Sequence, residues 1–222
     1  MSAGQLTFEW PADPNMTRAR FLQAPSNAAA LAAVDAWPDW PSAKLIICGE
    51  AGLGKSHLAH IWARRAQAVR ATPDHLPQDV GASVVVEDLH SLTHLAAPAR
   101  HAAERALFHL HNRVLENGHS LLLTGRGRPD TWGVALPDLA SRLTATPLVQ
   151  LGPPEDSLLS GLLVKLFADR QLRVTPELIA WLVKRMDRSG SAAGEVVERL
   201  DAEALRAGKN VSRTLAISVF GG

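Results

Sequence analysis

The octapeptide Gly49-Glu-Ala-Gly-Leu-Gly-Lys55-Ser56 fits the phosphate-cradling pattern GxxxxGK(S/T) without a mismatch, and it constrains this chain more than any other feature. Glycines at 49, 52 and 54 let consecutive backbone N–H groups face one concavity. Lys55 is placed to reach β- and γ-phosphates, and the Ser56 hydroxyl can ligate Mg²⁺. The flanks supply the context: Leu45 to Cys48 reads as a buried strand entering the loop. The residues from Ser56 onward open a helix whose N-terminus adds its dipole to an anion site. The pattern predicts a site for a nucleoside di- or triphosphate, ADP or ATP, with Mg²⁺.

A chain of 222 residues can bury roughly 70% of its unfolded surface, which suits one α/β domain with a small appendage. Its one cysteine, Cys48, has no internal partner, and its place in the strand before the loop makes it a small buried hydrophobe. A reducing cytoplasm is therefore the expected compartment. No apolar run of about 18 residues and no basic-then-apolar leader occurs, so neither a membrane span nor a signal peptide is expected. The 23 Lys and Arg against 22 Asp and Glu leave a formal charge of +1, far from the footprint of a chain that holds DNA by itself. DNA is expected to be reached through a partner.

Residues 1–20 combine a Pro, Asp and Asn-rich stretch with alternating Leu6, Phe8 and Trp10. Alternation at spacing two presents all three on one side, suiting either a peptide that docks into a partner's groove or an edge strand folded onto its own domain. An Ala-rich helix over 28–36 leads through Trp37-Pro-Asp-Trp-Pro41 into the strand before the loop. A helix follows from Lys55 to about Ala68. Residues 71–82 read as a loop, with room for a very short strand near Val69. Ser83-Val-Val-Val-Glu87-Asp88 then reads as a buried strand ending in two carboxylates, the position where open α/β sheets place ligand chemistry. Glu87 and Asp88 are candidates to hold Mg²⁺ through water and to polarise an attacking water.

An amphipathic helix is expected over 100–117, ended by Gly118, then a strand over 120–124, a Gly and Arg-rich loop, and a strand over 148–151. After Gly152-Pro-Pro154 only helical patterns remain: 155–171, 176–187 with Thr175 as N-cap and Pro176 at N1, and about 192–207 before Gly208. The predicted division is a tail over 1–20, a core over 21–152 and a helical unit over 153–222. Six histidines between His90 and His119 lack metal-ligand spacing, and no tryptophan is interleaved with a basic run.

A phosphate loop, a strand with two terminal carboxylates, a polar strand end at Thr124 and a helical lid together resemble an AAA+ module. Phe21-Leu-Gln-Ala-Pro-Ser-Asn27 is similar to the nucleotide-entry segment of the bacterial initiator DnaA, and Gly54-Lys-Ser-His-Leu58 resembles that family's phosphate loop. The stretches 107–118, 123–125, 136–143 and 182–187 resemble the Hda-like regulators within the DnaA-related family. The implied fold is α/β, an AAA+ P-loop three-layer core of parallel sheet with a small C-terminal all-helical lid. The implied nucleotide contacts are Phe21, Leu22, Asn27, Gly49, Gly52, Leu53, Gly54, Lys55, Ser56 and His57, with Ser56 and Glu87 toward Mg²⁺.

The resemblance also implies partners. Gln5-Leu-Thr-Phe-Glu-Trp10 falls in register with the hexapeptide by which Hda-like proteins bind the replication sliding clamp, with Gln5 in a polar pocket and Leu6, Phe8 and Trp10 in apolar contact. Phe8 and Trp10 replace smaller aliphatic residues. Arg142 matches the arginine finger, presented to a nucleotide on a neighbouring subunit; the alternative is a surface salt-bridge partner at a helix end. A counterpart of the initiator's C-terminal DNA-binding domain is not expected after the lid. The implied role is regulatory: clamp-tethered stimulation of hydrolysis of DnaA-bound ATP, with a homodimer compatible. Its own turnover is expected to be slow, because Glu87 replaces Asp, Arg126 replaces an acidic sensor, and Ser191 falls where a second sensor arginine is usual. The rival readings are an autonomous AAA+ ATPase, such as a helicase loader or remodeller, and a non-catalytic clamp adaptor.

Overall fold

The computed structural model describes residues 16–78 and 81–221, so Gln5, Leu6, Phe8 and Trp10 lie outside the described residues. In chain order the elements are α1 (Pro25–Asp35), β1 (Lys44–Cys48), α2 (Lys55–Ala66), β2 (Val69–Ala71), β3 (Val84–Val86), α3 (Ala97–Glu116), β4 (Leu121–Gly125), α4 (Pro137–Thr144) and β5 (Leu148–Gln150). Four helices follow: α5 (Asp156–Asp169), α6 (Pro176–Val183), α7 (Gly190–Ala207) and α8 (Arg213–Phe220).

The five strands form one parallel sheet in the order β2-β3-β4-β1-β5. Continuous apolar runs such as Leu45-Ile-Ile-Cys48 and Leu121-Leu-Leu123 make this possible, since a parallel sheet is covered on both faces and tolerates no polar side. Alternation then sorts the side chains between two cores. Ile46, Cys48, Val84, Val86, Leu121 and Leu123 face α3, α4 and Trp132. Leu45, Ile47, Val85 and Leu122 face α1 and α2, where Trp40 stacks on Trp62 with ring centroids 5.1 Å apart. Helices on both faces of the sheet give three layers. The helices after β5 enclose a separate core around Leu163, Phe167, Trp181, Val197 and Leu200.

Local signals explain the ends of several elements. The Thr175 hydroxyl accepts a hydrogen bond from the Leu178 N–H, with Pro176 opening α6, and Gly208 closes α7 in the left-handed conformation. Cys48 is buried, and burial pushes its thiol up to about 11, the environment of an inert core residue. The described residues contain no helix long and apolar enough to cross a membrane.

One short strand is realised as expected, one motif takes a definite form, and one helix is new. The short strand near Val69 is realised as β2, stabilised by its ladder to β3 rather than by its own sequence. The motif over 136–143 is mostly helix α4, started by Pro137. α8 is additional; with eight residues and only Ala216 fully buried, it is too short to carry a clear helical period.

His111 lies buried on α3. Burial above all, with the nearby charge of Lys44, pushes its imidazole from 6.5 down to about 4. Between those values the unfolded chain binds a proton that the native chain does not, so stability falls as pH falls through this window. The loss is about 3 kcal/mol at 1.36 kcal/mol per pH unit. In denaturant titrations from pH 7 to 4, His111→Leu is expected to flatten this part of the stability profile.

Candidate nucleotide-binding site

The turn from β1 into α2 leaves the first N–H groups of a helix without a side-chain cap. Gly54, the N-cap, sits in the left-handed region at φ 96° and offers no side-chain acceptor. The first helical bond is Leu58 N–H to Gly54 O, which leaves the N–H groups of Lys55, Ser56 and His57 without helical acceptors at the mouth of a cleft. An uncapped helix N-terminus of this kind fits a phosphate group. Lys55 stands inside the loop, its Nζ donating to Gly49 O and Glu50 O at 2.7 Å each. Burial above all holds its ammonium below the usual lysine range; Asp88 opposes this and Arg126 reinforces it.

The cleft has a volume of about 940 Å³, within the range of small-molecule sites. Gly52, Leu53, Gly54, Lys55, Ser56 and His57 form its floor, and Phe21, Leu22 and Asn27 one wall. Gly49 lies behind the loop, packed against Leu151. Asn27 holds the wall in place, accepting from Ala24 N–H and donating to Leu22 O, each at 2.9 Å. Phe21 meets His57 edge-on at 5.1 Å, and the His57 ring lies 3.0 Å from Thr17 O. The lining carries Arg20, Lys55, Arg126, Lys165 and Arg170 against Asp88 and Asp169, a balance suited to a polyphosphate.

The helical unit closes the opposite wall through Leu158, Leu162 and Leu166 of α5. It is fastened at both ends of the cleft. Ser26 donates from its N–H and its hydroxyl to the Glu155 carboxylate at 2.7 and 2.9 Å, and Arg20 pairs with Asp169. At the phosphate end, Gly190 N–H donates to Gly52 O at 2.7 Å. Ser191, the position aligned with a second sensor, packs so closely on Gly52 that a Cβ there would fall 2.1 Å from its hydroxyl oxygen. The neighbouring Arg188 is engaged elsewhere, by Asp156 at 2.7 Å and Pro154 O at 2.8 Å.

The structure separates the two carboxylates at the end of β3. Asp88 lines the cleft, its backbone left-handed at φ 58° and its N–H donating to the Thr124 hydroxyl at 3.2 Å. Glu87 does not line the cleft; it is buried in an ion pair with Arg70 of β2. Glu87 was expected beside Ser56 as a cation-holding group, and strand register gives it to Arg70 instead. Among the described residues no group of three or more His, Cys, Asp or Glu side chains is arranged to hold a metal ion. Arg126, the departure from an acidic sensor, lines the cleft near Lys55.

Arg142 stands apart from these residues. Its guanidinium lies 4.9 Å from the Phe108 ring centroid, and its charge bears on Lys44, at the start of β1. The phosphate loop leaves the other end of that strand, roughly 13 Å away at 3.3 Å per residue. Sequence reasoning did not find Arg70 or the Gly190 contact, because both depend on which elements become neighbours.

No family model matches the chain. Its fold is that of the AAA+ domains of DnaA and RuvB. It is similar to domain III of the replication initiation protein DnaA of Thermotoga maritima, with a TM-score of 0.81 at 17% identity, covering 96% of this chain and 98% of that one. AMPPCP-bound DnaA from Aquifex aeolicus superposes with a TM-score of 0.71 at 15% identity over 88% of this chain and 68% of that one. The Thermotoga maritima RuvB Holliday junction branch migration motor gives 0.67 at 14% over 93% and 71%. At such identities the likeness carries the fold, and the site stands on its own geometry.

The fit at Gly52 generates a test. Gly52→Ala adds a Cβ at φ 71° where Ser191 leaves no room, an overpacking and backbone cost of about 1–3 kcal/mol. Hydrogen exchange at the first turn of α7 is expected to speed up while the interior of β1 and β4 stays protected.

Proposed function

We propose that this chain is a nucleotide-holding AAA+ regulator of replication initiation that acts on the nucleotide of another protein. One observation carries the proposal: Arg142, the only residue to match the family's finger, lies at the end of β1 away from the chain's own phosphate loop. A guanidinium so placed has no access to a phosphate held by Lys55, whereas it is available to a neighbouring molecule. It is half-exposed and oriented by Phe108 on α3. Set against developing negative charge on a γ-phosphoryl group, such an arginine is worth roughly 10³ to 10⁵ in rate.

The partner favoured by the motifs is DnaA carrying ATP, with the tail residues Gln5, Leu6, Phe8 and Trp10 engaging the DNA-loaded sliding clamp. In this reading the chain's own nucleotide, ADP or ATP, is held by the N–H groups at the start of α2 and by Lys55, against Phe21 and Leu22. It ties the loop to the lid rather than being turned over. A slow intrinsic turnover accords with Glu87 being paired to Arg70 and with Ser191 at the phosphate end of the lid. Contact with DNA is indirect, through the clamp.

The test is hydrolysis of radiolabelled ATP bound to DnaA in the presence of clamp-loaded DNA. The wild-type protein is expected to accelerate it, and Arg142→Ala to remove at least about 10³-fold of that acceleration without loss of the chain's own nucleotide. Full acceleration by Arg142→Ala would sink the trans role. Alanine at Gln5, Leu6 and Phe8 together is expected to abolish retention on immobilised clamp, which surface plasmon resonance reads directly.

A further inference from the structure

The end of β3 is where an open parallel sheet offers a carboxylate to a cation shared with a bound phosphate. In this chain another group holds that carboxylate. Arg70 pairs in register with Val85, and Val85 and Glu87, two apart on one chain, share a face of the sheet. Arg70 and Glu87 are therefore diagonal neighbours on the face covered by α2. The guanidinium donates from Nε at 3.0 Å and from Nη2 to the same carboxylate oxygen. Its Nη1 lies 3.3 Å from Nδ1 of His60, which is one helical turn beyond Ser56 on α2.

The pair lies against His60, one turn beyond the hydroxyl that would ligate a cation, with side chains only 19% and 9% exposed. Turning Glu87 toward the cleft would break an ion pair that is largely buried on both sides, a costly step. Meanwhile the cleft holds positive charge of its own. Arg126 lines it and acts electrostatically on Lys55. Its loop is anchored by Trp132 Nε1, which donates to Arg126 O at 2.7 Å.

From this arrangement we infer that the site takes its nucleoside polyphosphate without a divalent cation: Arg70 holds Glu87 away from the cleft, Asp88, the carboxylate left at that strand end, acts on Lys55, and Lys55 and Arg126 supply the positive charge at the phosphate end. The inference rests on the nucleotide-binding reading above and refines it. Arg70 acts as a positioning residue through Glu87; it does not itself line the cleft.

The test measures equilibrium binding of a fluorescent ADP analogue to the full chain, in millimolar Mg²⁺ and in EDTA. Wild-type dissociation constants are expected to agree within about twofold, and Arg126→Ala to weaken both by about tenfold. Arg70→Met frees Glu87, and Mg²⁺ is then expected to tighten binding by about tenfold or more, whereas Arg70→Lys keeps the wild-type ratio. A second readout is Mn²⁺ electron paramagnetic resonance. The free-ion signal is expected to diminish on adding Arg70→Met with ADP beyond what free ADP removes, and not on adding wild-type protein with ADP. Should Arg70→Met fail to fold, Arg70→Met combined with Glu87→Met removes both charges and is expected to bind without dependence on Mg²⁺. Wild-type binding that needs Mg²⁺ by tenfold or more overturns the inference and leaves the nucleotide reading standing. An unchanged ratio in folded Arg70→Met overturns the role of Arg70. Absence of binding in both buffers defeats the nucleotide reading and this inference with it.

Discussion

The N-terminus of α2 emerges from β1 through a glycine that cannot cap it, and this open set of backbone donors is the feature around which the rest of the site is arranged. Helix N–H groups left at a cleft need an acceptor, and an anionic phosphate fits both their geometry and the helix dipole. For the donors to point one way, the strand before them must be rigid. β1 is so held, buried along its length and paired on both sides, by β4 over five residues and by β5 over three. Lys55 is drawn back into the loop by two carbonyls, keeping its ammonium within reach of the same cleft.

The helical unit completes what the sheet begins. Its own core makes it a separate packing unit, yet polar contacts fasten it to the mouth of the cleft, through Glu155 on Ser26 at one end and Gly190 on Gly52 at the other. The second contact joins the first residue of α7 directly to the phosphate loop, so the lid and the loop share one hydrogen bond. A helix start made of Gly190 and Ser191 allows this approach, whereas a long cationic side chain there would reach into the cleft in place of the backbone.

The distribution of charge separates the chain's own site from the role proposed for Arg142. One sheet end gathers Lys55, Asp88 and Arg126; the other carries Lys44 and Arg142, with Phe108 beneath the guanidinium. Glu87, which a linear reading groups with Asp88, belongs electrostatically to Arg70. Adjacent residues at a strand end diverge because successive side chains leave opposite faces of the sheet and the backbone turns left-handed at Asp88.

Local chemistry made much of this chain legible in advance. Gly54, Lys55 and Ser56 state the phosphate loop, apolar runs state the buried strands, and Thr175-Pro176 states the start of a helix, because each depends on backbone freedom or periodicity within a few residues. Asn27, Phe21 and Leu22 were legible only by resemblance, and the structure puts all three on the cleft wall. α8, the Arg70–Glu87 pair and the contact of Gly190 with Gly52 were not legible, and β2 only as room for a very short strand near Val69. A three-residue edge strand exists because β3 lies beside it, and Arg70 meets Glu87 because a particular register makes them diagonal neighbours. The sequence by itself determined that a glycine-rich turn of phosphate-loop pattern would be mounted on a buried parallel sheet. Only the tertiary structure decided which carboxylate faces that turn, since register and packing between distant segments bring opposite charges together, and no local pattern encodes them.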